Sequence, residues 1–337
     1  MAALKSALFC IIICFPSLAA AQLPVAVIRT IGVEADEESP FMFGLIVGLA
    51  IDEEMNIYVL DRYAYEIRVF NWHGEHLRLI GKGKGFGPGE FSLPMGLSIG
   101  PGGTLYVADY DAGRITLYSS YGEFLGQIPG MIAFSPPTVL DNEHIYMATG
   151  GVNWTRPLMR QYSLAGKVLR EAVDPIINGK EIAFSGASMV SHAPTPDGRI
   201  IVVRPYPYEI LVLDKDLNVI QRWSGKGGIA DSPPGFTQEL GWQLNGRARD
   251  VAVGPSGRIF VHVSERKDDK LTSYLDVYSP DGRFMTRIPT SEFGIDFMQF
   301  FAVGRDNVLV CNQIEPFPQI WLVDLSSYLN AAGKGER

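Results

Sequence analysis

Two consecutive stretches of this chain overlay almost residue for residue, and the period they share limits what it can fold into. Gly48 to Gly81 reads GLAIDEEMNIYVLDRYAYEIRVFNWHGEHLRLIG, and Gly96 to Gly126 reads GLSIGPGGTLYVADYDAGRITLYSSYGEFLG. Ile57-Tyr58-Val59 stands for Leu105-Tyr106-Val107, Asp61 for Asp109, Glu66-Ile67 for Arg114-Ile115 and Phe70 for Tyr118. Pro101-Gly102-Gly103 and Tyr121-Gly122 supply residues that tolerate φ > 0 in hairpin turns. The second copy therefore predicts four short strands: 96–99, 104–108, 114–119 and 123–128.

Weaker copies centre on Tyr146, Ile201, Phe260 and Leu309. Starting from Tyr58, the anchors lie about 48, 40, 55, 59 and 49 residues apart, the period of a four-stranded propeller blade. Six units in 337 residues predict one all-β domain, a six-bladed β-propeller of four-stranded antiparallel blades spanning 22–330. The blades fall near 46–81, 95–129, 136–173, 190–224, 248–289 and 297–328, and 331–337 is a tail. Near-continuous apolar runs such as Ile200-Ile201-Val202-Val203 suit strands packed on both faces. The last unit lacks a fourth strand, while Val25 to Gly32 resembles fourth strands and has no unit of its own. Pairing the two closes the ring and removes an open sheet edge. Trp72, Trp223 and Trp321 are expected to fill space between blades.

The run G-x-G-P-G-E-F-x-x-P at Gly85 to Pro94, then G-x-x-x-x-x-x-G-x-x-Y-V-x-D ending at Asp109 and R-I-x-x-Y at Arg114 to Tyr118, resembles the NHL repeat. The resemblance is close over Gly48 to Gly126 and degenerate elsewhere. It implies the same six-bladed fold and little about activity, since propellers host unrelated functions. In such propellers the blade-to-blade crossings and second-to-third-strand turns share one face around the channel mouth, where a ligand is expected. The long connections at 149–160, 176–191 and 225–249 draw attention to that face.

At the N-terminus, Lys5, an apolar run from Ala7 to Leu18 and Ala19-Ala20-Ala21 have the form of a secretory signal peptide cleaved after Ala21. The run is shorter than the ~20 residues a spanning helix needs, and Pro16 interrupts it. A secreted or periplasmic protein without a membrane anchor after cleavage is the expectation. Only Cys311 would remain, in an apolar strand, as inert core. A net charge of −8 argues against a nucleic-acid partner held through phosphates.

Gly81-x-Gly83-x-Gly85-x-Gly87 fits neither phosphate-loop spacing, and no helix follows it, so it reads as a flexible crossing. Asp61 and Asp109 have the place of a turn-amide acceptor. The amidating lyases that share this fold hold zinc with three inner-strand His. Here His192 alone stands at an inner-strand start, and the other units read VGLAI, MGLSI, PPTVL, RDVAV and QFFAV. For a lactonase-like calcium or zinc site, only Asp250 and Asn312 offer themselves. No metal or other cofactor is therefore expected. The candidate ligand set on the rim is Arg62, Asp109, Tyr110, His192, Arg204, Tyr206, Arg249 and Asn312, with Tyr63, Arg156, Tyr208 and Arg247 nearby. Forked Arg donors and rigid Tyr surfaces suit a protein, peptide or glycan partner. The competing expectation is a metal-assisted lyase or hydrolase working through His192, Asp250 and Arg249 with zinc or calcium.

Overall fold

The computed structural model describes residues 26–34, 39–132, 135–149, 157–174, 189–226, 235–237, 241–243, 246–267, 270–295 and 298–332. A leading strand β1 (Val27–Ile31) precedes five sheets, each running in chain order from channel to rim. They are β2 (Ile46–Ile51), β3 (Ile57–Asp61), β4 (Glu66–Phe70), β5 (His76–Ile80); β6 (Pro94–Ile99), β7 (Leu105–Asp109), β8 (Arg114–Tyr118), β9 (Phe124–Pro129). Next come β10 (Thr138–Val139), β11 (His144–Ala148), β12 (Met159–Ser163), β13 (Val168–Ala172), then β14 (Ser191–Pro194), β15 (Ile200–Arg204), β16 (Glu209–Leu213), β17 (Val219–Ser224). A small hairpin of β18 (Gly235–Thr237) and β19 (Gly241–Gln243) intervenes in a crossing read from sequence as plain loop. The fifth sheet is β20 (Gly246–Val253), β21 (Ile259–Lys267), β22 (Lys270–Tyr278), β23 (Phe284–Pro289). The sixth holds β24 (Phe301–Val303), β25 (Val308–Gln313) and β26 (Gln319–Asp324), with β1 as its outer strand. The chain is a six-bladed β-propeller.

β1 pairs antiparallel with β26, Ile31 opposite Ile320 and Val27 opposite Val323, so the ring is closed as the sequence required. Beyond β26 the chain forms a short helix, α1 (Ser326–Ala332), over residues expected to end the sixth blade at 328 and to begin the tail at 331. Ser326 N–H donates to Asp324 Oδ1 (2.8 Å), and Leu329 is buried against the fifth and sixth blades. The tail residues 333–337 lie outside the described residues.

Burial follows from this geometry. Middle strands pack on both faces, and every residue of β3, β7 and β15 is buried. Outer strands are more exposed: β5 and β9 alternate, with Leu77 and Leu79 of β5 exposed and Ile80 buried, while β13 and β17 are exposed along most of their length. The described core falls into six apolar clusters, one per interface between neighbouring blades. At the closing interface Ile57, Val59 and Phe70 of the first blade meet Val310 and Leu322 of the sixth, together with Ile31 of β1. Full burial of side chains of this size contributes about 1.5–3 kcal/mol each. Inner strands converge so tightly that Gly96 admits no side chain: a Cβ there would lie 2.4 Å from Pro136 N of the next blade.

The glycine-rich crossing between the first two blades is tied to side chains of the second. Arg114 donates to Phe86 O (2.7 Å), Gly87 O (3.0 Å) and Glu90 O (2.8 Å), and Tyr118 Oη donates to Gly89 O. Gly89 sits at φ +84°, which a side chain would strain. Carbonyl oxygens, not amide hydrogens, turn toward these donors, the reverse of what an anion cradle presents.

Candidate functional site

The six inner strands surround a cavity of about 220 Å³ on the propeller axis. Counting register from the outer turns, Ala50, Ser98, Thr138, Ala193, Ala252 and Ala302 occupy matching positions, and all line the cavity. Small side chains recur there because six strands meeting at an axis leave no room for larger ones. Among the described residues, Asp250 and His192 are the titratable groups in the wall.

His192 joins the fourth blade to the third. Ala148 N–H donates to its Nε2 (3.2 Å), which leaves the ring proton on Nδ1, 2.9 Å from Thr138 Oγ1. Burial pushes its pKa down to about 4. Both ring nitrogens are therefore occupied within the protein, and neither is presented to a metal.

Asp250 joins the fourth, fifth and sixth blades. Its Oδ1 accepts from Ser191 Oγ (2.6 Å) and from Val251 N–H (2.9 Å), and the Phe301 backbone also favours its charged form. Burial outweighs these bonds and raises the carboxyl to about 6, although the side chain keeps some contact with the cavity. Arg249 forms the bulge between Ala248 and Asp250 and donates through Nε to Ser264 Oγ of its own blade. The structure thus brings His192 and Asp250 to one cavity and ties each of them into blade-to-blade contacts.

The other sequence candidates are distributed around the mouth. Asp109 is buried, its two oxygens accepting from Ser92 N–H (2.9 Å) and Leu93 N–H (2.7 Å). Asp61 does the same for Gly44 and Leu45 (2.7 and 3.0 Å), and Asn312 Oδ1 for Gln299 and Phe300 (3.0 and 2.8 Å). These side chains fasten each incoming crossing to the end of its second strand, so the placement of Asp109 and Asn312 among ligand groups gives way to a holding role. Arg204 is only 7% exposed and lies 3.4 Å from Glu209, its cross-strand partner; burial lowers its pKa. It is a poor rim donor because the second strand carries it inside the blade. Arg62 reaches across to the second blade, donating to Pro94 O (3.2 Å) and lying 2.8 Å from Met95 Sδ. Tyr110 and Tyr206 are half-buried, and Tyr110 N–H donates to Leu93 O (2.9 Å). Tyr208 is buried and bonded to Asp276 (3.2 Å) and to Tyr278 (3.1 Å). Arg156 and the Arg247 side chain lie outside the described residues, as does the whole of 1–25.

Sequence reasoning named Tyr63 beside this mouth but passed over Phe86, Lys82 and Lys84. Tyr63 and Phe86 are each 68% exposed, on the second-to-third-strand turn of the first blade and on the crossing that follows it. Lys84 Nζ lies 5.3 Å from the centre of the Tyr65 ring, and Lys82 Nζ 5.6 Å from that of Phe124. The signal was present in the crossing itself, where Lys82, Lys84 and Phe86 alternate with glycines.

Comparison with known proteins agrees with this architecture. The family described as DUF5128, 6-bladed beta-propeller, matches residues 41–154. No curated protein sequence matches the chain. Among solved structures, a member of the DUF4221 family from Bacteroides vulgatus superposes with a TM-score of 0.60 at 14% identity, covering 88% of this chain and 96% of that one. A gluconolactonase from Xanthomonas campestris gives 0.52 at 13% identity, covering 83% and 86%. A catalytically inactive virginiamycin B lyase from Staphylococcus aureus with quinupristin gives 0.52 at 10%, covering 86% and 83%. At such identities the likeness is one of fold. Binding modules and enzymes share it.

Proposed function

We propose that the chain is an exported NHL-type propeller that binds an acidic peptide, protein loop or glycan on its crossing face, between the first and second blades. The observation that carries this is the pair of aromatic side chains, Tyr63 and Phe86, exposed on ordered turns beside Lys82, Lys84 and Arg62. Rigid rings give contact area at low entropic cost, and the surrounding cations favour an acidic partner. The reading is tested by binding of acidic peptides and acidic oligosaccharides to the wild type and to a Phe86→Ser/Lys84→Glu variant. At least tenfold weaker binding with an unchanged melting temperature supports it; equal binding removes this surface from consideration.

The enzyme reading has less support. His192 and Arg249 are engaged within the fold, and among the described residues no group of three or more His, Cys, Asp or Glu could hold a metal ion. Export rests on the form of residues 1–21, and no helix among the described residues is long and apolar enough to cross a membrane. N-terminal sequencing of the mature protein should begin at Gln22.

A further inference from the structure

On the opposite side of the propeller, where the ring closes, a pocket of about 620 Å³ opens between the first and sixth blades. Its wall comes from the first-to-second-strand turns (Glu54, Met55, Arg305, Asp306), the third-to-fourth-strand turn (Trp72, His73) and the ends of β1 and β26 (Ile28, Asp324). All these elements lie at the end of the blades away from the crossings, so the pocket is separate from the rim proposed above and does not depend on it.

The pocket has a firm floor. Met55 and Val308 are buried, and Arg305 N–H lies 3.3 Å from Met55 Sδ, fastening the sixth blade's turn to the first blade. Trp72 packs partly on the closing core cluster while also lining the cavity. Trp72 is thus half-buried, offering apolar surface to the cavity as well as to the core. Ser326 Oγ donates to Asp306 O (3.3 Å) at the pocket edge, which steadies the Arg305–Asp306 turn.

We infer that this pocket is a second binding site, for a neutral saccharide of one or two pyranose rings stacked on Trp72. The volume falls in the range of about 300–1,000 Å³ usual for small-ligand sites. The choice of ligand follows from the polar groups. An anion would meet three carboxylates, of Glu54, Asp306 and Asp324, and Arg305 sets one guanidinium against a cation in a wall that is net negative, so a charged ligand always meets a like charge. A neutral ring bearing several hydroxyls uses both kinds of wall: carboxylates accept from its hydroxyls, while Arg305 and His73 donate to its oxygens. Its C–H face supplies the apolar surface that an indole platform requires. Because the site touches β1, the first blade and the sixth blade, occupancy holds the ring closed and raises stability by mass action.

The test uses the mature protein with the methyl glycosides and common disaccharides of glucose, galactose, mannose and N-acetylglucosamine, read by saturation-transfer NMR and thermal shift. At least one neutral sugar should bind and raise the melting temperature. Asp306→Asn combined with Arg305→Ala should weaken that binding at least tenfold without altering the melting temperature of the free protein. Asp306 has φ +56°, a conformation Asn also tolerates, so this variant folds where Trp72→Ala could disturb the core. Phe86→Ser on the other face should leave sugar binding unchanged. Failure of every neutral sugar to bind, undiminished binding in the double variant, or tighter binding of choline or glucuronate than of any neutral sugar would each overturn the inference.

Discussion

His192 and Asp250 stand in one channel wall, linked through Ser191, and respond oppositely to protons. Burial holds His192 at about 4, below its ordinary 6.5. The unfolded chain therefore takes up this proton first, and the stability that depends on a neutral His192 is lost as pH falls from about 6.5 toward 4. Asp250 is raised from 3.8 to about 6, so the folded state takes up its proton first and stability is lost as pH rises through that interval. Each displacement corresponds to about 3 kcal/mol at full titration, and the two nearly cancel. The wild type should show little pH dependence from this pair between pH 4 and 6.5. Asp250→Asn should lose stability on acidification relative to wild type, and His192→Gln should gain it; urea denaturation at pH 4.5 and 6.5 measures both. Parallel slopes for all three proteins would refute the assignment. His192→Ala, which also orphans Ala148 N–H and Thr138 Oγ1, should cost about 1–3 kcal/mol at pH 7.

At the scale of elements, the crossing at residues 82–91 depends on one cation from the strand it leads to. Removing the Arg114 side chain frees three carbonyls, of Phe86, Gly87 and Glu90, and takes the partner from Gln127 Oε1 (3.0 Å). Arg114→Ala should cost about 2–4 kcal/mol, and Tyr118→Phe about 1 kcal/mol through Gly89 O. Hydrogen exchange at residues 82–91 should accelerate in both variants, more in the first. Unchanged protection would mean that the loop holds itself. Strand positions were legible in advance because turn glycines and apolar runs are local signals: Arg114 to Tyr118 and the core of the second blade appear where their spacing put them. The role of Arg114 was not legible, since its acceptors on the crossing are backbone carbonyls of residues 24 to 28 positions earlier, which side-chain types do not reveal. The partners of His192 were not legible for a related reason. Thr138 and Ala148 lie about 50 residues earlier and become neighbours only when two blades stand side by side. The third inner strand shrank to Thr138–Val139 because Pro136 and Pro137 have no amide hydrogen to donate.

For the whole molecule, closure is the shared constraint. Each blade buries its faces only against its neighbours, so an open ring would expose two half-cores, and an unpaired β26 would also expose a sheet edge. β1 is fully buried only at Ile31; Val27 packs partly on the cluster between the fifth and sixth blades, while Ile28 and Arg29 are exposed. Its contribution comes from position: it supplies the hydrogen bonds that finish the sixth sheet and packs Ile31 among Val310, Ile320 and Phe70. Deleting residues 26–32 should therefore destabilise blades far from the seam, and melting should broaden or give way to aggregation. A synthetic peptide of residues 22–34 added in trans should restore a sharp transition, with affinity set by the β26 edge. Ile31→Asp provides a milder form of the test. It places a charge in a fully apolar cluster and should cost at least about 3 kcal/mol, because a buried unpaired carboxylate has nothing to offset its lost hydration. A shortened chain that melts as sharply and as high as the full one would show that the six blade interfaces hold the ring without a closing strand.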